Sequence, residues 1–236
     1  HRMIVASGGE IGGEVGSDVG SSAGLVAVVD YDAGNVESVR KALAFLGVDS
    51  ELTADPDRIR AASLVVFPGQ GHFGQAMARL RDTGLDRVLA EVVAAGTPFV
   101  GICLGLQLIF DGSDEAPGVA GLGLLPGRSV RFVAPLKAPQ IGWNAVDVVR
   151  PGSPLDAVAA SSHFYFVHSY HAVAADPADV VATADYGRPF TAAIARDNLF
   201  ACQFHPEKSG GVGLAVLAEC LDRAGVARRP PEAPPC

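Results

Sequence analysis

A cysteine flanked by glycines, in the motif Gly-Ile-Cys-Leu-Gly at residues 101–105, lies between two apolar runs of different character. Residues 97–100 are predicted to end a buried strand, and residues 104–110 are predicted to begin a helix. The glycines permit a sharp strand-to-helix turn because they carry no Cβ atoms that would clash. Such a turn exposes Cys103 at the amino end of a helix, where free N–H groups favour a thiolate and can bind an oxyanion.

The motif His-Pro-Glu at residues 205–207 supplies the two further groups that a nucleophilic cysteine requires. His205 and Glu207 are two residues apart, so on an extended segment their side chains point to the same side. The imidazole can take the thiol proton, and the carboxylate can orient the imidazole. The pattern therefore predicts a catalytic triad of Cys103, His205 and Glu207. The competing interpretation of Cys103 is a small buried hydrophobe, which is what we expect of Cys202 and Cys220.

Spacing, charge and composition argue against several other classes of protein. The sequence has no Cys-x-x-Cys or His-x-x-x-His spacing, so we expect no metal, and nothing in it indicates a cofactor. A net charge of −8 argues against a nucleic-acid partner. No apolar run approaches the ~18 residues that span a membrane. Four scattered cysteines predict reduced thiols and a cytoplasmic location, although the sequence alone leaves plastid import open.

The chain is predicted to divide into three parts. Residues 1–24 form a leader rich in Gly, Ser, Glu and Asp, without a helix or strand period, which predicts flexibility. Residues 25–224 form a single domain. Residues 225–236 form a tail, rich in proline toward its end, that is also predicted to be flexible.

Strand and helix patterns alternate in the first half of the domain. Strands are predicted at 25–29, 63–67 and 99–102, and helices at 35–46, 85–95 and 104–110. The alternation indicates an α/β fold, with a mostly parallel central sheet flanked by helices. From residue 130, short strand patterns separated by turns predict an additional mixed or antiparallel region, followed by a helix at 213–224. Because sites in open α/β sheets gather at the carboxyl ends of strands, Pro68, Cys103 and His205 are expected to lie together.

Three segments resemble motifs of the class I glutamine amidotransferases. They are Pro-Gly-Gln-Gly-His-Phe at 68–73, the cysteine motif extended to residue 107, and Gln-Phe-His-Pro-Glu-Lys-Ser at 203–209. Gly-Trp-Asn at 142–144 and Phe-Val-His-Ser-Tyr at 166–170 are similar to the glutaminase subunits of imidazole glycerol phosphate synthase. The resemblance runs from about residue 25 to residue 224 and implies the class I glutamine amidotransferase fold.

The resemblance implies an activity and a partner. The activity is hydrolysis of L-glutamine to glutamate and ammonia through the triad. The partner is a (β/α)8 cyclase subunit of the HisF type, which would use the ammonia to make imidazole glycerol phosphate in histidine biosynthesis. Two alternatives stay open: another class I glutaminase, for example of pyridoxal phosphate synthesis, and an inactive paralogue that only binds.

The resemblance also implies an oxyanion hole. The backbone N–H of Leu104 follows the nucleophile directly and supplies one donor. The second donor is expected from the loop after the second predicted strand, at Gln70 or Gly71. Gln70 replaces a residue that is usually aliphatic in this family, and Gln140 stands where most members carry a histidine.

The remaining roles that the resemblance implies concern substrate and partner. Substrate-binding residues are expected at Gln107, Ser169 and Tyr170. Residues of the partner interface are expected at Trp143, Asn144 and Lys208.

Overall fold

The computed structural model describes residues 24–133 and 135–230. Apart from Gly24, the predicted leader at 1–24 lies outside the described residues, and so do residues 231–236 of the predicted tail. The strands are β1 (Val26–Val29), β2 (Ser50–Thr53), β3 (Leu64–Gly69), β4 (Phe99–Cys103), β5 (Gly112–Ser113), β6 (Gly127–Arg131), β7 (Gln140–Val148), β8 (Ser162–His168), β9 (Tyr170–Ala174), β10 (Val180–Asp185), β11 (Pro189–Arg196) and β12 (Leu199–Cys202). The α-helices are α1 (Val36–Phe45), α2 (Pro56–Arg60), α3 (Phe73–Thr83), α4 (Leu85–Ala94), α5 (Leu104–Leu108) and α6 (Gly210–Arg223), and short 3-10 helices cover Pro154–Ala157, Pro177–Asp179 and Pro206–Lys208.

The strands form one sheet with a parallel and an antiparallel region. Its main path runs β2-β1-β3-β4-β12-β11-β10-β7-β8. Neighbours from β2 to β12 pair in parallel, and neighbours from β12 to β8 pair antiparallel. Strand β9 branches from β11 and pairs antiparallel with β6. The predicted fold class, a parallel central sheet with an additional mixed region, is confirmed.

Helices cover both faces of the parallel region, which explains its apolar strands. Alternate residues of β1 belong to different core clusters: Val26 and Val28 to one, Ala27 and Val29 to the other. The first cluster contains residues of α1 and α6, and the second contains residues of α2, α3, α4 and α5. A strand buried on both faces is expected to be apolar throughout, because neither side of its pleat meets water. Among the described residues, no helix combines the length and apolar character needed to cross a bilayer.

Strand β2 has no counterpart in the sequence patterns. Its first two residues, Ser50 and Glu51, are polar and half-buried, because β2 lies at the edge of the sheet and pairs only with β1. An edge strand of this kind lacks the apolar run by which a buried strand is recognised. The sequence patterns also do not predict helices α2 and α3 or strand β9.

Helix α5 ends at Leu108, two residues before the predicted end. The Leu108 carbonyl accepts the Leu122 N–H at 2.8 Å, and the Ile109 carbonyl accepts the Leu124 N–H at 2.8 Å. These donors come from a returning segment and replace the helical donors that would have continued α5. The apolar pattern of 104–110 reflects burial in the core, not helix alone.

Packing continues beyond Ala224, the predicted end of the domain. Val226 is buried in the first core cluster. The backbone N–H of Arg229 donates to the Gly47 carbonyl at 3.0 Å. The segment that directly follows α6 is therefore attached to the domain as far as residue 229.

Two glycines of helix α6 provide a matched test of how closely this helix packs on the His-Pro-Glu segment. A Cβ atom on Gly213 would lie 1.9 Å from the Pro206 carbonyl oxygen, whereas one on Gly211 would meet nothing within 4 Å. We expect Gly213→Ala to lower the free energy of unfolding by about 1–3 kcal/mol, because the helix must move away. Gly211→Ala should be neutral or raise it by up to about 1 kcal/mol. Urea denaturation of both variants measures this, and equal effects would contradict the close approach.

Candidate active site

Three neighbouring strands bring their carboxyl ends to one edge of the sheet. Cys103, the last residue of β4, is in register with Gly69 at the end of β3. On the other side of β4, Cys202 of β12 is in register with Ile102. The segment that follows β12 therefore leaves the sheet beside Cys103, and it carries His205. The structure brings together the three motifs that the sequence places after strands.

Cys103 itself has a positive φ of 55°, with ψ −107°, a combination outside the standard regions of the backbone map. A residue with a Cβ atom adopts such a conformation at an energetic cost, and strain of this kind clusters at functional sites. The next turn is tight, because a Cβ atom on Gly105 would lie 2.0 Å from the Phe67 carbonyl oxygen of β3. The glycine thus lets α5 start directly against the sheet, with Cys103 at its amino end.

His205 and Glu207 form a buried pair. Nδ1 of His205 lies 2.7 Å from Oε1 of Glu207, and the two side chains are 1% and 0% exposed. Since a carboxylate can only accept, Nδ1 carries the proton of this hydrogen bond. Nε2, the other ring nitrogen, is buried and has no hydrogen-bond partner among the described residues. The imidazole is therefore oriented by Glu207, and its free nitrogen is the one available to a nucleophile or substrate.

The charges around His205 stabilise its protonated form. Burial by itself lowers the pKa of this imidazole, because a low-dielectric environment disfavours charge. The negative charge of the Cys103 sulfur, followed by that of Glu207, outweighs burial and raises the pKa of His205 to about 10. The site is thus suited to a thiolate–imidazolium pair, in which the imidazolium can later give up its proton.

Asn35 is a fourth member of this constellation, to which the sequence patterns assign no role. Its Nδ2 donates to Oε1 of Glu207 at 2.5 Å and lies 3.4 Å from Nδ1 of His205. Asn35 follows β1 at the same sheet edge and has a left-handed φ of 73°, which asparagine tolerates better than most residues. The available signal was its position after a buried strand and directly before a helix.

A cavity of about 360 Å³ opens at Cys103. Such a volume lies at the small end of the range for ligand pockets. Glu207 is not part of the lining and supports it from behind. The lining residues are Gln70, Gly71, Cys103, Leu104, Gln107, Glu115, Pro139, Tyr165, Val167, His168, Ser169, Tyr170, His205 and Lys208.

Five lining residues have no role assigned by the sequence patterns, and Glu115 is the charged one among them; the others are Pro139, Tyr165, Val167 and His168. Its Oε2 accepts the backbone N–H of Phe73 at 2.7 Å, at the amino end of α3. Glu115 is the one lining residue with a carboxylate side chain. It is therefore suited to attract a positively charged group of a ligand.

The predicted oxyanion residues lie at the cavity floor and on its loop. Leu104 begins α5, so its backbone N–H has no partner within the helix. Gly71 has φ 107°, and no atom lies within 4 Å of the position of a Cβ there. Gln70 is exposed in the same loop. Gly71 therefore occupies an open part of the loop in a conformation that favours glycine, and the role of the Gln70–Gly71 loop as second donor stays a prediction.

The predicted substrate-binding residues line the cavity, but Gln107 is already engaged. Its Nε2 donates to the Tyr170 carbonyl at 2.9 Å and to Oε1 of Gln203 at 3.2 Å. The Ser169 carbonyl accepts the N–H of Phe132, the residue that follows β6, at 3.1 Å. Gln107 thus shapes the wall formed by Ser169 and Tyr170, and its contact with substrate stays a prediction.

Of the three predicted interface residues, Trp143 and Asn144 lie on opposite faces of strand β7, and Lys208 ends the 3-10 helix Pro206–Lys208. Trp143 is 57% exposed and contacts the ring of the lining residue Tyr165 edge-on, with ring centroids 6.1 Å apart. Lys208 is exposed at the mouth of the cavity. Asn144 is adjacent to Trp143 on a strand, so its side chain points to the other face, where Nδ2 donates to the Asp185 carbonyl at 2.7 Å. The structure therefore does not bring the Asn144 side chain to the mouth.

Ile141 extends the exposed apolar surface at the mouth. It is 64% exposed and lies two residues before Trp143, on the same face of β7. It pairs across the strands with Val167, another lining residue. In residues 24–133 and 135–230, no group of three or more His, Cys, Asp or Glu side chains is arranged to hold a metal ion.

Comparison with known proteins shows the family to which the chain belongs. The family model of class I glutamine amidotransferases matches residues 27–223. A HisH subunit of imidazole glycerol phosphate synthase from Rhodopirellula baltica is 46% identical over 195 residues, covering 82% of this chain and 95% of that protein. The HisH subunit from Moorella thermoacetica is 48% identical over 192 residues, covering 81% and 91%. The chain therefore belongs to the class I glutamine amidotransferases and, within them, to the family of HisH subunits.

Solved structures of distant sequences share the fold. A crystal structure of a glutamine amidotransferase superposes with a TM-score of 0.69 at 19% identity, covering 86% of this chain and all of that one. The structure of PurLQS from Thermotoga maritima gives 0.64 at 18% identity, covering 85% and 98%. At such identities the likeness concerns the fold alone.

The environments of the two buried histidines His205 and His168 shift their pKa values in opposite directions, and an NMR titration can test this. We expect the pKa of His205 to fall in Cys103→Ala and in Glu207→Gln, because each change removes a negative charge that favours the imidazolium. The fall should be larger in Cys103→Ala. His168, whose pKa burial lowers to about 4, is the internal control and should keep its low pKa in both variants. A His205 pKa that is insensitive to both changes would contradict the assigned electrostatics.

Proposed function

We propose that this chain is the glutaminase of an imidazole glycerol phosphate synthase and that Cys103 is its nucleophile. The observation that carries the proposal is the geometry of the sheet edge. Cys103 lies in a strained turn at the amino end of α5, in register with Gly69, next to a histidine oriented by a buried carboxylate. The HisH relatives supply the synthase to which such a glutaminase would belong.

In the first half-reaction, the Cys103 thiolate attacks the side-chain amide carbon of glutamine. A sulfur–carbon bond forms, and the carbonyl electrons move to oxygen to give a tetrahedral oxyanion. As the carbonyl re-forms, the carbon–nitrogen bond breaks and the departing nitrogen takes a proton from Nε2 of His205. The products are ammonia and a thioester on Cys103.

In the second half-reaction, water hydrolyses the thioester. Neutral His205 accepts a proton from the water while its oxygen attacks the thioester carbon. Collapse of the second oxyanion breaks the sulfur–carbon bond and releases glutamate. Glu207 stabilises the imidazolium in both steps, and Asn35 fixes the carboxylate through Oε1.

Both oxyanions require hydrogen-bond donors. The Leu104 N–H is one donor, and the peptide N–H of the Gln70–Gly71 loop is the proposed second. Each such donor is worth roughly 10²–10³ in rate. Because Gly71 has open space around it, the loop can turn this donor toward or away from the cavity without a side-chain clash.

The cavity lining suits the amino-acid end of glutamine. Glu115 is placed to attract the α-ammonium group, since opposite charges within a few ångströms attract strongly in a partly desolvated site. Backbone groups of Ser169 and Tyr170 are proposed to bind the same end of the substrate. Gln107 holds the wall on which they lie.

The exposed apolar residues at the mouth are proposed as the docking surface for a (β/α)8 cyclase of the HisF type. Ile141 and Trp143 are large, exposed and on the same face of β7, and contiguous exposed apolar surface is typical of interaction sites. Docking there, with Lys208 at the rim, would let ammonia pass unprotonated to the cyclase. We place both subunits in the cytoplasm.

The two alternatives that the sequence left open, another class I glutaminase and an inactive paralogue, are not favoured. Another class I glutaminase would share the triad, but the relatives compared above are HisH subunits. An inactive paralogue would have no need for a buried His205–Glu207 pair supported by Asn35. Glutamine turnover separates the inactive paralogue from an enzyme, and stimulation by a HisF-type cyclase separates the two kinds of glutaminase.

Replacing the nucleophile tests the proposed chemistry. We expect Cys103→Ala in complex with a cyclase to lose glutaminase activity by about 10⁴-fold or more, because no other group can form the thioester. Synthesis of imidazole glycerol phosphate from added ammonium salt should continue, because that half of the reaction takes place on the cyclase. Retained glutaminase activity in Cys103→Ala would refute the triad.

Replacing an exposed aromatic residue tests the docking surface. We expect Trp143→Ala to weaken the complex with a HisF-type cyclase at least about tenfold, because exposed aromatic residues are frequent anchors of interfaces. Phe45→Ala is the matched control: Phe45 is 73% exposed and ends α1, at the opposite edge of the sheet. Isothermal titration calorimetry measures both, and equal affinities of the two variants would place the interface elsewhere.

A further inference from the structure

A series of hydrogen bonds joins strand β7, which carries the proposed docking residues Ile141 and Trp143, to Cys103. Gln140, the first residue of β7, contacts Nε2 of His168 at 3.1 Å. Nδ1 of His168 lies 2.8 Å from the Tyr170 carbonyl, which also accepts Nε2 of Gln107. Gln107 continues to Gln203, and Nε2 of Gln203 donates to Sγ of Cys103 at 3.7 Å.

These side chains are secluded from water. Gln107, Gln140 and His168 are 4–6% exposed, and Gln203 is 0% exposed. Amides buried to this extent must find partners within the protein, because an unsatisfied buried amide is costly. Here Gln107 and Gln203 are bonded to each other, to the Tyr170 carbonyl and to the thiol, and Gln140 is the partner of His168.

The protonation state of His168 fixes the direction of the hydrogen bonds. The Tyr170 carbonyl can only accept, so Nδ1 of His168 donates. Burial lowers the pKa of His168 to about 4, so the ring is neutral at neutral pH and Nε2 carries no proton. The amide atom placed 3.1 Å from Nε2 is Oε1 of Gln140, another acceptor. The hydrogen bond therefore requires the amide to turn about its terminal bond and present its NH2 group to Nε2.

We propose that Gln140, His168, Gln107 and Gln203 form a positioning relay, through which strand β7 sets the orientation of the Cys103 thiol and of the wall at Tyr170. Donation runs from Gln140 to His168 and from His168 to the Tyr170 carbonyl, where Gln107 joins the series. Gln203, held by Gln107, then donates to the sulfur. The inference rests on the proposed function, because it assigns meaning to the thiol as nucleophile and to β7 as docking strand.

The relay gives Gln203 a specific task. A donor to sulfur stabilises a thiolate and holds it in one orientation. Oε1 of Gln203 accepts from Gln107, which leaves Nε2 as the group that faces Sγ. At the other end of the relay, Gln140 donates to Nε2 of His168. It thereby keeps His168 in the tautomer that can donate to the Tyr170 carbonyl.

Alkylation of Cys103 by iodoacetamide tests the relay without requiring turnover. We expect Gln203→Met, which keeps the side-chain volume, to slow alkylation at pH 7 about tenfold, because a charge-assisted hydrogen bond is lost. Gln140→Met should slow it about threefold. The double variant should be no slower than Gln203→Met alone, because the relay is already broken at the sulfur. Rates come from mass spectrometry of the Cys103 peptide.

Gln75→Met is the matched control, since Gln75 is exposed on α3 and should leave the rate unchanged. Unchanged alkylation in Gln203→Met, or single effects that multiply in the double variant, would overturn the relay. Wild-type glutaminase activity in complex with a cyclase is measured in parallel. Its absence would refute the proposed function while leaving the alkylation result interpretable.

The tautomer of His168 provides a second measurement on the unaltered chain, which is decisive even if a variant fails to fold. Nitrogen-15 chemical shifts of the ring distinguish the two neutral tautomers and the imidazolium. We expect a neutral ring with the proton on Nδ1 at pH 7. A proton on Nε2 alone would remove the donor to Tyr170 and overturn the relay, and so would a charged ring.

Discussion

The pairing of β12 is the constraint on which the rest of the structure depends. This strand lies parallel to β4 on one side and antiparallel to β11 on the other, so it joins the two regions of the sheet. Its register with β4 sends the following segment out of the sheet beside Cys103. Because that segment carries His205, strand pairing brings the histidine beside Cys103. The segment is held in turn by the His205 N–H, which donates to the Tyr165 carbonyl of β8 at 2.9 Å, so backbone hydrogen bonds position the proposed base.

The site residues that can be predicted from the sequence are those marked by a motif of a few neighbouring positions. The glycines around Cys103 and the two-residue spacing of His205 and Glu207 are visible over a few positions. Asn35 has only a weak local signal, its position between a strand and a helix, and Glu115 has none, because their contacts reach across 172 and 42 positions of the chain. The direction of the Asn144 side chain follows from strand alternation, yet the resemblance alone grouped it with Trp143. Local patterns thus predict the nucleophile and its base, whereas supporting groups require the fold.

Two histidines show how environment decides the role of a residue type. His168 and His205 are both buried, and burial lowers the pKa of each. The hydrogen-bond partners of His168 are a neutral carbonyl and a neutral amide, so burial dominates and the ring stays uncharged. His205 faces a thiol and a carboxylate, whose charges reverse the effect. Pairs of groups with divergent pKa values commonly separate structural from catalytic roles, and His168 and His205 form such a pair in one cavity lining, in line with the proposed role of His205.

The loop between β3 and α3 is held at both ends and free in the middle. The Pro68 carbonyl accepts the Tyr31 hydroxyl at 2.9 Å, and the Phe73 N–H donates to Glu115 at 2.7 Å. Between them, Gly71 has open space and a positive φ. A rotation confined to the Gln70–Gly71 peptide would change the proposed second oxyanion donor without moving the strand or the helix. Because Glu115 also lines the cavity, a substrate ammonium bound to this carboxylate would act on an end of the same loop. Substrate binding and oxyanion-hole formation would then share one carboxylate.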